Sequence, residues 1–239
     1  MTVVGIHQPN FLPWIGYFVK INLSDVFILL DDVQFTKPSY IHRVKIKTPQ
    51  GSMWLNVPTQ KTSRKRILDV LINNAIHWKD EHLKTFHMNY AKAPYFNKVM
   101  EGIIKPIYSK GYERLIDFNF DLLKSVLSKL GITNKIYFSS SFNIQAKKSA
   151  RIVALCKEVG ASVYISGLGA KSYNDETLFK ESNIQLKYMR FKHPIYPQRF
   201  GEFIPGLSII DLLFNEGFEG ATRVLNKLSE EVMFEIGNK

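Results

Sequence analysis

Cysteine is nearly missing from this chain: among 239 residues there is one, Cys156. A single thiol excludes an intrachain disulfide and a cysteine-rich metal site. Its setting, RIVALCKEVG, repeats apolar residues at helical spacing, so the thiol reads as a buried structural group. Long apolar runs are missing too, since no stretch approaches the roughly 18 residues that suggest a membrane span. Residues 1–10, MTVVGIHQPN, lack a basic region followed by an apolar run, so the expectation is a cytoplasmic chain without a membrane span. Neither a low-complexity tract nor an internal repeat interrupts it.

Acidic residues are in deficit. Asp and Glu total 21 against 32 Lys and Arg, a formal charge of +11. Part of the excess lies in QKTSRKR, residues 60–66. Such a chain attracts polyanions: nucleic acid, anionic membrane or phosphorylated metabolites. No recognition helix, zinc finger or aromatic RNA-binding signature accompanies the charge, so charge alone does not choose among them. His77, His82 and His87 recur every five residues, which spreads them around a helix, and no metal site is expected. The residues identify no cofactor.

With 45% hydrophobic residues the chain can bury a substantial core. Strand-like apolar runs occupy residues 3–7, 26–30, 136–139, 163–166 and 184–189, and most are separated by helical periodicity. That alternation predicts an α/β fold, a Rossmann-like parallel sheet covered on both faces. Two departures mark insertions on residues 1–239, read as a single domain. Residues 40–73 have strand-like composition around a PQG turn and predict a small antiparallel, β-rich extension. Residues 75–131 carry long amphipathic patterns ended by Gly131 and predict a helical insertion. LSIIDLLFNEG opens a closing helical region.

Ligands of open α/β sheets bind beyond the carboxyl ends of the strands, and polar or glycine residues cluster at all five exits. After the first strand come His7, Gln8, Pro9 and Asn10, then Gly16 and Tyr17 in PWIGYF. A glycine inside a helix costs about 1 kcal/mol relative to alanine, so Gly16 points to close packing or close ligand approach. LLDDVQF puts Asp31, Asp32 and Gln34 at the second exit, one carboxylate on each face. One of the two acids is a cap or structural acceptor, and the other a candidate for general base work, metal coordination or a sugar hydroxyl contact. His42 and Arg43 in YIHRVKIK are candidates for an anionic group, Arg through its bidentate fork. SGLGAKSY supplies Ser166, Gly167, Gly169 and Tyr173 but fits neither a dinucleotide nor a Walker-type loop. Its small residues let backbone N–H groups approach an anion.

Taken together, HQPNFLPWIGYF, SDVFILLDDVQF, IHRVKI, KAPYF, ISGLGAKSY, IQLKYMRF and LSIIDLL resemble the WbqC-like family across nearly the whole chain. Gln8, Pro9, Gly16, Asp31, Asp32, Gln34 and Arg43 lie in the matching stretches. The resemblance implies a small-molecule transferase of bacterial polysaccharide or O-antigen sugar biosynthesis, moving an acyl or aminoacyl group to a nucleotide-linked amino sugar. On that reading Asp31, Asp32 and His7 are the catalytic candidates, and the partner is a phosphorylated or nucleotide-linked substrate. The alternatives are a tRNA- or nucleic-acid-binding protein and an enzyme similar to nucleotidylyltransferases of the HIGH type. In the latter a His-x-Gly-His element stabilises phosphate, whereas PWIGY has Trp14 and Tyr17 in its place.

Overall fold

The computed structural model describes residues 1–237. Five parallel strands build the sheet: β1 (Thr2–His7), β2 (Val26–Leu29), β5 (Lys135–Phe138), β6 (Ala161–Gly167) and β7 (Gln185–Arg190). A last strand, β8 (Met233–Ile236), joins β7 antiparallel. The intervening β3 (Arg43–Thr48) and β4 (Gly51–Asn56) form a separate antiparallel hairpin. The main sheet runs β5-β2-β1-β6-β7-β8, so the chain winds outward from β1 in one direction, then returns and winds in the other. The Rossmann-like sheet and its antiparallel extension are as the alternation of patterns implied.

The first strands are buried on both faces, and side-chain alternation sorts them into two cores. Val4, Ile6, Val26 and Ile28 pack with Cys156 and Phe179. The latter two lie on α6 (Lys148–Glu158) and α7 (Glu176–Glu181). Phe27, Leu29 and Ile165 face the opposite core, shared by α1 (Ile15–Asn22), α5 (Leu115–Lys129) and α8 (Ile209–Glu231). Cys156 is fully buried, and burial pushes its thiol up to about 12, so it is inert at neutral pH.

Between β2 and β5 lies the helical insertion. It holds α2 (Trp78–Tyr90), α3 (Phe96–Val99) and α4 (Lys105–Tyr108), the last two joined by a π-helical turn, Met100–Ile104. Its apolar residues run on into the core that α1, α5 and α8 share. Gly131 ends α5, where the Ile132 amide returns to the Leu127 carbonyl at 3.0 Å. The third strand-like stretch of the extension, ILDVLIN, is different from its expectation. Ile67–Asp69 form a 3-10 turn, and only isolated bridges at Leu71 and Ile72 follow. Among the described residues no long strand edge pairs with this stretch, and backbone geometry follows the available partners over composition.

The closing helix α8 is interrupted at Gly217, whose φ of 69° and ψ of −174° lie in a region reserved for glycine. A Cβ there would also stand 2.7 Å from the Tyr95 ring. Gly217→Ala should therefore lower stability by about 2 kcal/mol or more. An unchanged urea midpoint would show that the break relaxes at no cost.

Candidate functional site

The strand order reverses between β1 and β6, and a cavity of about 750 Å³ lies there. Its size suits a metabolite, and its position is where doubly wound sheets bind ligands. The β1 exit gives it His7 and Gln8; α1 and the turn before it give Trp14, Gly16, Tyr17 and Lys20. Leu30, Val33, Gln34 and Thr36 enter from beyond β2. Ser166, Gly167, Gly169, Tyr173 and Asn174 enter from the β6 side. So His7, Gln8, Gly16, Tyr17, Gln34, Ser166, Gly167, Gly169 and Tyr173, singled out in sequence, meet around one space.

His7 and Tyr17 share an acceptor. The Tyr17 hydroxyl donates to the Gln8 carbonyl at 3.0 Å, and His7 Nδ1 lies 3.2 Å from the same oxygen. A carbonyl only accepts, so Nδ1 carries the ring proton and Nε2 is left with its lone pair. Burial, and next the charge of Lys20, lowers the His7 pKa to about 4. Burial also raises the Tyr17 phenol well above its ordinary value. The imidazole edge meets the Tyr17 ring with centroids 4.8 Å apart, which fixes its orientation. The result is a neutral, oriented imidazole with one unprotonated nitrogen.

Gly16 owes its place to Trp14. A Cβ on residue 16 would come within 2.3 Å of the indole, which folds back over the start of α1. The same indole packs edge-on against Phe191 at 5.0 Å and lies near-parallel to His193 at 6.2 Å. Its position is thus set from the β7 exit, and it forms part of the cavity wall.

Asp31 and Asp32 lie outside the cavity lining and bind the β2 exit to the β5 exit. Asp31, 3% exposed, accepts from the Ser140 amide at 2.9 Å, the Ser140 hydroxyl at 2.7 Å and the Ser139 hydroxyl at 3.0 Å. Asp32 pairs with Arg151 of α6 and competes with Asp31 for the one proton of the Ser139 hydroxyl. The pair is partly buried, its side chains 12% and 13% exposed. With these lone pairs occupied, both acids are well suited to holding two strand ends together.

The remaining candidates are also elsewhere. His42 is buried against Phe35, 5.5 Å between ring centroids, and burial lowers its pKa to about 4. The Arg43 guanidinium covers the Trp54 ring at 4.0 Å, a contact within the hairpin. Pro9 presents its carbonyl to Asn119 at 3.0 Å, and Asn10 is 8% exposed. The loop of residues 60–66 brings further cations close to Gln34, one of the lining residues. Gln34 bridges to Arg66, and the Phe35 amide donates to the Lys65 carbonyl at 2.9 Å. Lys61 and Arg64 are exposed on that loop, while Arg66 is paired with Asp69 at 2.8 Å.

Sequence reasoning passed over Lys20, Tyr164, Asn174 and Ile152, all in the lining. Lys20 had a visible signal, being the one charge in the apolar helix IGYFVKIN. The others become lining only through the pairing of β1 with β6 and the packing of α6. Among the described residues no group of His, Cys, Asp and Glu is arranged to hold a metal ion. His82 is engaged by Tyr108 Oη at 3.0 Å and the Asn56 carbonyl at 2.9 Å. No helix among the described residues is long and apolar enough to cross a membrane.

The lowered histidine has a measurable consequence. Unfolded, His7 titrates near 6.5; folded, near 4. Between those values the unfolded chain binds more protons, so the contribution of His7 to stability is full above about pH 6.5 and is lost toward pH 4. Nitrogen-15 NMR at pH 5.5 should find His7 neutral with its proton on Nδ1. An imidazolium, or a proton on Nε2, would contradict this geometry.

Sequence comparisons agree on one relationship. The model of the WbqC-like protein family matches residues 8–223. An uncharacterized protein of Mycobacterium tuberculosis (strain ATCC 25618 / H37Rv), Rv1507c, is 36% identical over 223 residues, covering 92% of this chain and 96% of that protein. No solved structure matches significantly. The cavity lining from Gln8 to Met189 falls within the family match, Ile6 and His7 stand just ahead of it, and the chain belongs to the WbqC-like protein family.

Proposed function

We propose that the chain is a small-molecule transferase of polysaccharide or O-antigen sugar biosynthesis, moving an acyl or aminoacyl group to a nucleotide-linked amino sugar. The observation that carries this reading is the neutral His7 imidazole, its Nε2 unprotonated, in the lining of a metabolite-sized cavity. His7 is the general base in this scheme. As the acceptor's amine or hydroxyl bonds to the acyl carbon, its proton passes to Nε2, and the bond to the donor's leaving group breaks. The base role expected of Asp31 or Asp32 thereby passes to His7, and the two acids hold the site's frame.

The exposed cations of residues 60–66, beside Gln34 and Phe35, meet the phosphates of the nucleotide. Arg43, occupied by Trp54, is given no part in this. The same loop supports the second reading, in which a charged tRNA docks as aminoacyl donor.

A thermal-shift screen of nucleotide sugars, acyl-CoAs, ATP and tRNA separates the two. Nucleotide sugars are expected to raise the melting temperature, and replacing Lys61, Arg64 and Lys65 with alanine should weaken that effect. Stabilisation by tRNA alone, decaying steeply with salt, would replace this reading with the second. No shift from any of them would remove both.

A further inference from the structure

The cavity holds a buried amine, and among the described residues no carboxylate lines it. Lys20 is 4% exposed and lines the cavity, whereas no Asp or Glu does. Its Nζ donates to the Ile6 carbonyl at 2.7 Å and stands 5.7 Å from the centre of the Tyr164 ring. Among the described residues it makes no ion pair. The other deeply buried lysine is treated differently. Lys47, 1% exposed, bonds to Gln198 Oε1 and to the Glu202 carbonyl, and its charge acts on buried Asp211.

The groups facing Lys20 do not supply the missing charge. His7 on β1 is neutral above about pH 4, and the phenols of Tyr17 on α1 and Tyr164 on β6 are raised by burial, so both stay neutral at pH 7. Tyr173 stands exposed at the mouth. An unpaired buried ammonium is costly, and an apolar side chain of similar length would fill the same place in α1 without that cost.

We propose that Lys20 is the counter-ion for a single carboxylate carried by the part of the substrate that enters the cavity. This rests on reading the cavity as the substrate site. Charge matching selects a carboxylate over a phosphate. One ammonium balances one negative charge, whereas a phosphate monoester brings nearly two into walls that include Ile6, Leu30, Ile152 and Met189. Burial lowers the amine to about 7, so a bound carboxylate should draw a proton onto it at pH 8.

Benzoate, its neutral analogue benzamide and inorganic phosphate are suitable probes for the full chain at pH 6.5, by thermal shift and calorimetry. Benzoate should bind about tenfold more tightly than benzamide, and the preference should disappear in Lys20→Met. In the unaltered chain at pH 8, benzoate binding should take up a proton, read from calorimetry in two buffers of different ionisation enthalpy. That measurement needs no variant to fold. Equal binding of benzoate and benzamide, phosphate binding as tightly as benzoate, absence of proton uptake, or a preference that survives in Lys20→Met would each overturn the assignment. Nucleotide-sugar stabilisation without the benzoate preference would remove this inference alone. The preference without nucleotide-sugar binding would keep the carboxylate site and remove the proposed transfer.

Discussion

A loop that leaves a buried strand toward a ligand loses the hydrogen bonds of the sheet and must find others. In this fold the constraint is met chiefly by the fully buried side chain of Asn119 on α5. Its amide donates to the Pro9 carbonyl at 3.0 Å and to the Ile41 carbonyl at 2.7 Å, joining the first strand exit to the segment ahead of the hairpin. The Phe11 amide continues the link to the Tyr40 carbonyl at 2.9 Å. From the other end of the chain, Ser208 Oγ donates to the Leu12 carbonyl at 2.7 Å, and the Ile209 amide to that of Pro13 at 2.9 Å. Residues 8–14 are thus held by α5, by the approach to the hairpin and by the start of α8. The cavity inherits its shape from that loop.

Electrostatics divide along the same line. Carboxylates are used for the frame: Asp31 and Asp32 tie strand exits through Ser139, Ser140 and Arg151, and Asp211 receives the hydroxyls of Tyr90 at 2.8 Å and Tyr196 at 2.9 Å. The cavity itself has cationic and neutral groups with no carboxylate in its lining. A substrate that brings its own negative charge completes such a site. On the proposed reading, the basic loop and the single lysine inside would act on different parts of one anionic molecule.

Much of this fold was legible because strand burial and helix periodicity are local. The five parallel strands differ from their sequence boundaries by one or two residues, and Gly131 ends its helix as its position implied. The β1 and β6 exits were legible through His7, Gln8 and SGLGAKSY. The roles of Asp31 and Asp32 were not, because strand alternation says that two carboxylates point to opposite faces but not which partners wait there. Those partners, Ser139 and Arg151, are more than a hundred residues away. Arg43 looked like a free cation for the same reason, since its engagement by Trp54 depends on the hairpin register, which sets Arg43 opposite Asn56 and Lys45 opposite Trp54.

The central claim is that the space between the β1 and β6 exits is where ligand binds. Hydrogen–deuterium exchange with and without the most strongly stabilising nucleotide sugar tests it directly. Protection is expected in residues 6–17 and 166–174, on both sides of the cavity. Protection confined to the more open groove of about 630 Å³ between Asn56 and His82, with none at the strand exits, would contradict the claim.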